Sequence, residues 1–558
     1  MDLGEERQLK ITFDNGEVVS CFPGTLVKTI IKKHKAYNPE HNYVAALLNN
    51  RVVTLTYPLN TDSTLKMLTL SESYGWRVYR NSVAFLLSKA AHECYPDNCL
   101  EIKHSLGEGF YCTLDGIDKK DLHEILGKIE ISMRKDIESK LPINRHKIPF
   151  KDALDYFTSK KREDKCNLLR FQNQPKIAIY YCDGFIDLAH GALVENTKDL
   201  PFFKLIPYES GFVLQFPDKT WPIKFSEFKK QKPLFNIFKA YKKWGNDIGV
   251  RTVGDLNNLI IKGELRRIIE IEESFQEKRL AEIADEIKSR KKELKWILIA
   301  GPSSSGKTTF AHRLSTQLMV NGIKPVILSV DNYFVERDKT PKDANGNYDF
   351  ENIETIDLPL LYEHLEKLDK GEEIEMPTFD FINGTKKYVG NNVKLKDNEM
   401  AVIEGIHSLN PMMTKVLAPE RKYKIYINAL AQLNLDNNNR ISTTDCRLIR
   451  RVIRDHRTRG YRAFATMQAW HSVREGERKW IFPFQGHADT AFSSALNYEL
   501  FVLKPLVEPL FAEIKPWHEP YPDARRIQEF LENFIAAPSN DVPRRSLIRE
   551  FIGGGILG

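Results

Sequence analysis

The run Trp296-Ile297-Leu298-Ile299-Ala300-Gly301-Pro302-Ser303-Ser304-Ser305-Gly306-Lys307-Thr308-Thr309 decides how the second half of the chain folds. An apolar run ends on a glycine, four residues follow, and a second glycine precedes Lys307 and Thr308; the next segment, TFAHRLSTQLMV, is amphipathic. That order spells a buried strand, a tight loop and a helix start. Glycines at both ends let successive backbone N–H groups converge on one phosphate, and the helix N-terminus adds partial positive charge. Gly301, Ser303, Ser304, Ser305, Gly306, Lys307, Thr308 and Thr309 therefore read as an ATP-binding loop. Within it Lys307 bridges the β- and γ-phosphates and Thr308 holds Mg²⁺.

Outward from this loop, short apolar runs recur: KPVILSV (324–330), EMAVIEG (399–405), YKIYIN (423–428) and YELFVLK (498–504). The first of these and their spacing predict a parallel sheet with helices on both faces, and chemistry at the carboxyl ends of the strands. Asp331 follows the second strand and Glu404 closes the third. A carboxylate at Asp331 can accept a proton from an attacking hydroxyl, and one at Glu404 is placed to contact Mg²⁺. Downstream, residues 446–462 concentrate Arg447, Arg450, Arg451, Arg454, Arg457, Arg459 and Arg462. Such a crowd of guanidiniums repels itself unless anions are near, which predicts a mobile lid over phosphates.

The first half reads differently. Residues 8–68 alternate as short strands around one helix over 25–34, with Asn49-Asn50 as a hairpin turn, a small half-open β-grasp pattern. From 70 to 235, helices over 78–94, 119–141 and 151–159 mix with strands near 176–181 and 211–216, an α+β domain. Between 236 and 292 strand signals vanish, and Leu265, Ile268, Ile269, Ile271, Phe275, Leu280, Ile283 and Ile287 form a helical stripe. The expected units are thus 1–69, 70–235, a helical connector 236–292, a P-loop domain 293–516, and a helical tail 517–558 to which no chemistry is assigned.

The 558 residues, 42% of them hydrophobic, suffice for roughly three or four domains. A net charge of +7 spread along the chain suits an anionic ligand better than a dedicated nucleic-acid surface. No run reaches the ~18 apolar residues of a membrane-spanning helix, and the first residues lack the apolar core of a signal peptide. Seven scattered cysteines without a Cys-x-x-Cys pair predict reduced thiols, so a cytoplasmic protein with no membrane contact is expected.

GPSSSGKTT, SVDNYF, YDFENIETID, MPTFDF, VIEGIH and RRVIRDHRTRG occur in one order over roughly residues 295–516. In that order they resemble the uridine kinase and phosphoribulokinase family of P-loop kinases. The resemblance implies Asp331 as the base for a nucleoside 5′-hydroxyl, with Lys307 and Thr308 serving ATP and Mg²⁺ and Glu404 assisting the metal. It further implies Glu351 and Arg451 on the ribose hydroxyls, Arg454 and Arg459 on the transferring phosphoryl group, Phe379 stacking on the base, and Tyr333 beside the substrate. Five residues after that aromatic the pyrimidine kinases carry a base-reading His; here the position is Gly384, so the preferred base stays open.

GWRVYRNSVAFLLSKA (75–90) and GEGFYCTLDG (107–116) resemble the editing domain of threonyl-tRNA synthetases, and residues 8–68 its TGS domain. Editing there uses a His-x-x-x-His and a Cys-x-x-x-His pair around a metal or water. In this chain those positions are Asn81, Phe85, Cys182 and Ile186, so neither zinc nor editing is expected. His92 and His190 nearby read as structural. The fusion is similar to a bacterial class of nucleoside kinases. What the first half retains is a surface for RNA, a nucleotide or a partner, or a scaffold; oligomerisation is open. Two alternatives accompany the nucleoside kinase: a kinase of a sugar phosphate such as ribulose 5-phosphate, and an RNA-associated nucleotide switch. The switch lacks the Asn-Lys-x-Asp motif that reads guanine.

Overall fold

A computed structural model describes residues 8–38, 41–219, 223–228, 230, 232–342, 346, 348–381 and 383–557. The first sheet runs Val18–Cys21, Leu9–Phe13, Ser63–Leu68, Ala45–Leu48, Arg51–Val53 in space. Leu9–Phe13 and Ser63–Leu68 are parallel, and the other pairs antiparallel. Alternation in LKITF buries Leu9, Ile11 and Phe13 against Val27, Ile30 and Ile31 of the helix. Asn49 and Asn50 adopt φ of 48° and 57°, the left-handed pair a two-residue hairpin turn demands. The helix predicted over 25–34 is shorter, Val27–Ile31. The Lys33 and His34 amides bond the carbonyls three residues back, tightening the chain into turns.

Beyond it, helices Ser73–Cys94 and Leu122–Glu138 share a core with a four-stranded antiparallel sheet spanning residues 100–114 and 204–215. A three-stranded antiparallel sheet, Asn144–Pro149, Lys176–Cys182 and Phe185–Leu188, adjoins them. The helix predicted to start at 78 begins at Ser73, and its Gly75 sits tight against the Thr69 carbonyl, where a Cβ would lie 2.0 Å away.

The segment read as a connector comprises helices Lys232–Asp247, Val253–Ile261 and Leu265–Ser289. The last buries Leu265, Ile268, Ile269, Leu280, Ile283 and Ile287 in the same core as the P-loop strand and residues 524–551. Arg313 of the P-loop helix reaches back to Gln276 at 3.2 Å and to Glu277 at 2.8 Å. Connector and tail thus pack as walls of one body.

That body is built on an all-parallel sheet in the order Lys324–Ser329, Glu399–Glu404, Trp296–Ala300, Lys422–Asn428, Thr490–Ser493. The P-loop strand is central and every residue of it is buried. The run YELFVLK is not a strand. It opens the helix Glu499–Ala512, which buries Leu500, Phe501, Val502 and Leu503, and the fifth strand is the four-residue TAFS before it. A short continuous apolar run fits a fully buried helix as well as a buried strand, and here the helix wins by length.

Candidate active site

The loop after the P-loop strand closes because its glycines leave room. A Cβ on Gly301 would lie 2.2 Å from the Ile427 carbonyl oxygen, and Gly306 has a φ of 84° with the Leu547 side chain where its Cβ would be. Ser304 takes the left-handed φ of 59°, which turns the chain into the helix Lys307–Val320. The hydroxyls of Ser304 and Ser305 are buried without partners.

The arginine-rich helix Thr443–Thr458 braces this loop from behind. Arg447 Nε donates to the Ser303 carbonyl at 2.9 Å, and Arg451 Nη1 to Ser303 Oγ at 2.8 Å. The Ser303 amide donates to Glu477 at 3.2 Å, and Glu477 also pairs with Arg447. The predicted mobile lid is corrected here. Arg450 is fully buried on Glu499 and Ser494, and Arg462 pairs with Glu513 at 3.0 Å. Arg457 donates to the carbonyls of Glu550 and Phe551. Asp455 gathers Arg454 at 2.7 Å, Arg451 at 3.3 Å and Arg459 at 3.8 Å. Burial would raise the Asp455 carboxyl, but Arg454, Arg451 and Arg459 hold it below its usual value. Glu477, Glu499 and Glu513 each hold one of these arginines, while the single Asp455 is shared by Arg451, Arg454 and Arg459.

On the opposite rim stand Asp331 and Glu404, at the carboxyl ends of neighbouring parallel strands; Ser329 lies in register with Glu404. Glu404 Oε1 accepts from Ser329 Oγ at 2.7 Å and Thr308 Oγ1 at 3.4 Å. Burial, then Asp331, push its pKa up to about 7. Thr308 and Glu404 offer hard oxygen donors beside the loop, and a divalent cation there would relieve the crowding with Asp331, so the residues fit Mg²⁺. Glu351, 6% exposed, is likewise raised to about 7 by burial and by Glu477, against Arg451, Lys307 and Arg447.

These groups open onto a cavity of about 1310 Å³. Ser303, Ser304, Gly306, Lys307, Thr308, Asp331, Glu351, Phe379, Glu404, Arg451, Arg454 and Arg459 all line it. Gly301, Ser305 and Thr309 lie behind the loop surface. Tyr333 does not face the cleft: its ring is 1% exposed, and its hydroxyl meets His364 Nδ1 at 3.0 Å in the core beneath. It follows Asp331 by two residues in a turn of tight helix, which swings it inward.

Several cleft residues escaped the sequence reading. Phe334 and Phe381 join Phe379 in a trio with ring centres 5.2 to 6.2 Å apart. Gly384 has a φ of 69°, and a Cβ there would strike Arg337 at 2.7 Å; Arg337 lines the cleft and donates to the Phe381 carbonyl at 2.6 Å. From the tail, Glu550 lines the cleft and accepts from Thr309 Oγ1 at 2.9 Å. Phe334 and Phe381 lie within SVDNYF and MPTFDF, whereas no local motif marks Arg337 or Glu550, which reach the cleft through tertiary packing.

In the first half, Phe85 packs edge-on to Phe185 at 5.4 Å, and Cys182 is fully buried, its thiol pushed up to about 12 by burial. Of the four positions set against the ligand pairs of the synthetases, Phe85 and Ile186 are apolar and Asn81 is half-buried. Among the described residues no helix is long and apolar enough to cross a membrane.

Comparison with known proteins agrees with this division. Residues 296–499 match the model of the Phosphoribulokinase / Uridine kinase family. The N-terminal half matches threonine–tRNA ligases. That of Acetivibrio thermocellus is 30% identical over 205 residues, 37% of this chain and 32% of the relative. That of Desulforamulus reducens is 30% identical over 207 residues, with the same coverage. The chain therefore spans about a third of the length of the curated relatives it matches. Among solved structures, a possible uridine kinase from Bacillus stearothermophilus is 21% identical, covering 39% of this chain and 98% of that one with a TM-score of 0.27. Residues 296–499, by their match to the phosphoribulokinase and uridine kinase family, are a P-loop kinase region, and the N-terminal half is similar to threonyl-tRNA synthetases.

Proposed function

We propose that the protein transfers the γ-phosphoryl group of ATP to the 5′-hydroxyl of a nucleoside, giving a nucleoside monophosphate and ADP, with a uridine- or cytidine-like acceptor as the provisional substrate. The observation that carries this reading is one cavity shared by Lys307, Asp331, Arg451, Arg454, Arg459 and an aromatic trio. Asp331 accepts the proton of the acceptor hydroxyl. The acceptor's hydroxyl oxygen bonds to the γ-phosphorus as the bond from that phosphorus to the bridging β–γ oxygen breaks, and ADP keeps that electron pair. Lys307, Arg454 and Arg459 take up the charge spread over the transferring oxygens. Mg²⁺, when held by Thr308 and Glu404 with the nucleotide, adds positive charge along the phosphate chain.

Glu351, in its ionised form, accepts from the ribose hydroxyls, and Arg451 donates to them. Phe379, flanked by Phe334 and Phe381, suits a flat apolar ring better than a second phosphate, which favours a nucleoside over a sugar phosphate. Arg337 fills the space that a side chain at residue 384 would need and so brings a donor beside the aromatic trio. The first 69 residues read as a TGS-like unit and 70–235 as an editing-like unit without editing chemistry, in a cytoplasmic protein. Cys182→Ala should accordingly leave phosphoryl transfer unchanged. ATP consumption measured against nucleosides and sugar phosphates tests the proposal. Turnover with a nucleoside supports it; turnover with ribulose 5-phosphate alone overturns the nucleoside assignment.

A further inference from the structure

The junction between the two halves collects cations that the phosphoryl-transfer cleft does not use. Arg80, on the helix Ser73–Cys94, lays its guanidinium 3.7 Å from the centre of the Trp76 ring and 5.3 Å from that of Phe110. Arg440, from the hairpin before the arginine-rich helix, stands 4.4 Å from the same Phe110 ring, and Lys219 stands 5.2 Å from Trp76. Arg474 joins them from the helix Ala463–Trp480. Two aromatic rings thus hold three cations, with a fourth beside them.

Neighbouring acids are already committed. Asp523 pairs with Arg77 at 2.9 Å and Arg526 at 3.1 Å, and Asp445 accepts two bonds from Arg526 at 2.7 and 2.8 Å. Glu475 pairs with Arg478 at 3.7 Å, and Glu477 with Arg447. Glu108 acts on Arg80 more weakly than the surrounding cations do. Among the described residues, Arg80 and Arg474 have neither an ion pair nor a side-chain hydrogen bond, and the buried Nε atoms of Arg80 and Arg440 lack partners.

A guanidinium does not shed its charge, so the unpaired, half-buried Arg80 is costly unless an anion completes it, and Arg474 stands exposed beside it. The strain registers on each member. Burial, Arg440, Arg77 and Arg474 drive Arg80 well below its ordinary value. Burial, then Arg478 and Arg474, bring Lys219 down to about 8. The charge is concentrated around the Trp76 and Phe110 rings rather than drawn out as a stripe, an arrangement suited to a compact multivalent anion rather than a nucleic-acid backbone.

We propose that Arg80, Arg440, Arg474 and Lys219 form a second anion site, separate from the P-loop, that binds the polyphosphate chain of a small molecule at the junction of the two halves. The helix carrying Arg474 also presents Ser472, Val473 and Gly476 to the phosphoryl-transfer cleft, so the two sites share a wall.

Calorimetric titration of the full chain with inorganic tripolyphosphate at low salt tests this without reference to catalysis. In a Lys307→Ala background, which disables the P-loop, one site should persist. Adding Arg440→Gln and Arg474→Gln should weaken it at least tenfold, while Arg440→Lys with Arg474→Lys, which keeps the charge, should restore most of the affinity. Unchanged thermal melting across the set separates lost binding from lost folding. Loss of all binding with Lys307→Ala alone, or no effect of the glutamines, overturns the proposal. So does a short single-stranded RNA whose binding needs these arginines when tripolyphosphate does not.

Discussion

Asp331 and Glu351 sit on one cleft and answer to different tests. Asp331→Asn should leave ATP binding intact and lower turnover by roughly 10² to 10⁴, the contribution of a positioned general base. Rapid-quench measurement of ADP checks this, and turnover within about threefold of the parent would remove the role. Glu351, raised to about 7, is neutral below that pH and ionised above it. Since only the ionised form accepts from ribose hydroxyls at both oxygens, the KM for the acceptor should rise as pH falls from 8 to 6. Glu351→Gln should flatten that dependence at a uniformly high KM. At this scale the sequence was informative where backbone spacing encodes geometry: Gly301, Gly306 and Lys307 are spaced for a phosphate, and Asp331 and Glu404 end apolar strands. It was silent on Arg337 and Glu550, whose neighbours in space are remote in the chain, and misleading for Tyr333, which turns into the core.

Among the elements, the P-loop is the least tolerant. Gly301→Ala would drive a Cβ into the Ile427 carbonyl, a backbone atom that cannot move aside without disturbing the sheet. ATP affinity, followed by fluorescence of a labelled analogue, should fall by at least tenfold while the rest of the fold persists; near-parent affinity would contradict the close packing. The long helix Leu265–Ser289 makes a second prediction. Its Glu272, 3% exposed, is raised to about 8 by burial. With a folded pKa above the unfolded one, the folded state binds more protons between about 4.5 and 8, so stability falls as pH rises through that window. Glu272→Gln keeps an acceptor for the Asn497 amide and should make the melting temperature less dependent on pH from 5 to 8. Periodicity made that helix legible. It did not reveal that YELFVLK is helical or that TAFS is the edge strand, because four residues carry too little pattern to outweigh a longer apolar run.

Across the whole molecule, the two halves are locked by polar contacts that no single segment foretells. Asp436, in the hairpin ahead of the arginine-rich helix, meets Lys165 at 3.1 Å, and Lys165 also pairs with Asp187; the lysine and Asp436 have no exposure. Burial would raise the Asp436 carboxyl, but Lys165, with His190 and Arg162, holds it well below the carboxylate range. Asn434 and Asn438 add bonds to the Ile102 and Leu100 carbonyls. Removing one partner of a buried ion pair costs roughly 3–5 kcal/mol. Asp436→Ala should therefore lower stability in denaturant titration by that order and separate the unfolding of the halves. A loss below about 1 kcal/mol would mean the lock is weaker than its burial implies. The proposed reaction is phosphoryl transfer to an alcohol in the cleft of the second half. Phosphorus NMR of the full chain with ATP, Mg²⁺ and a panel of nucleosides tests it most directly. A phosphomonoester resonance growing in step with ADP is the predicted result; ADP accompanied only by inorganic phosphate, with every nucleoside left unmodified, would contradict it.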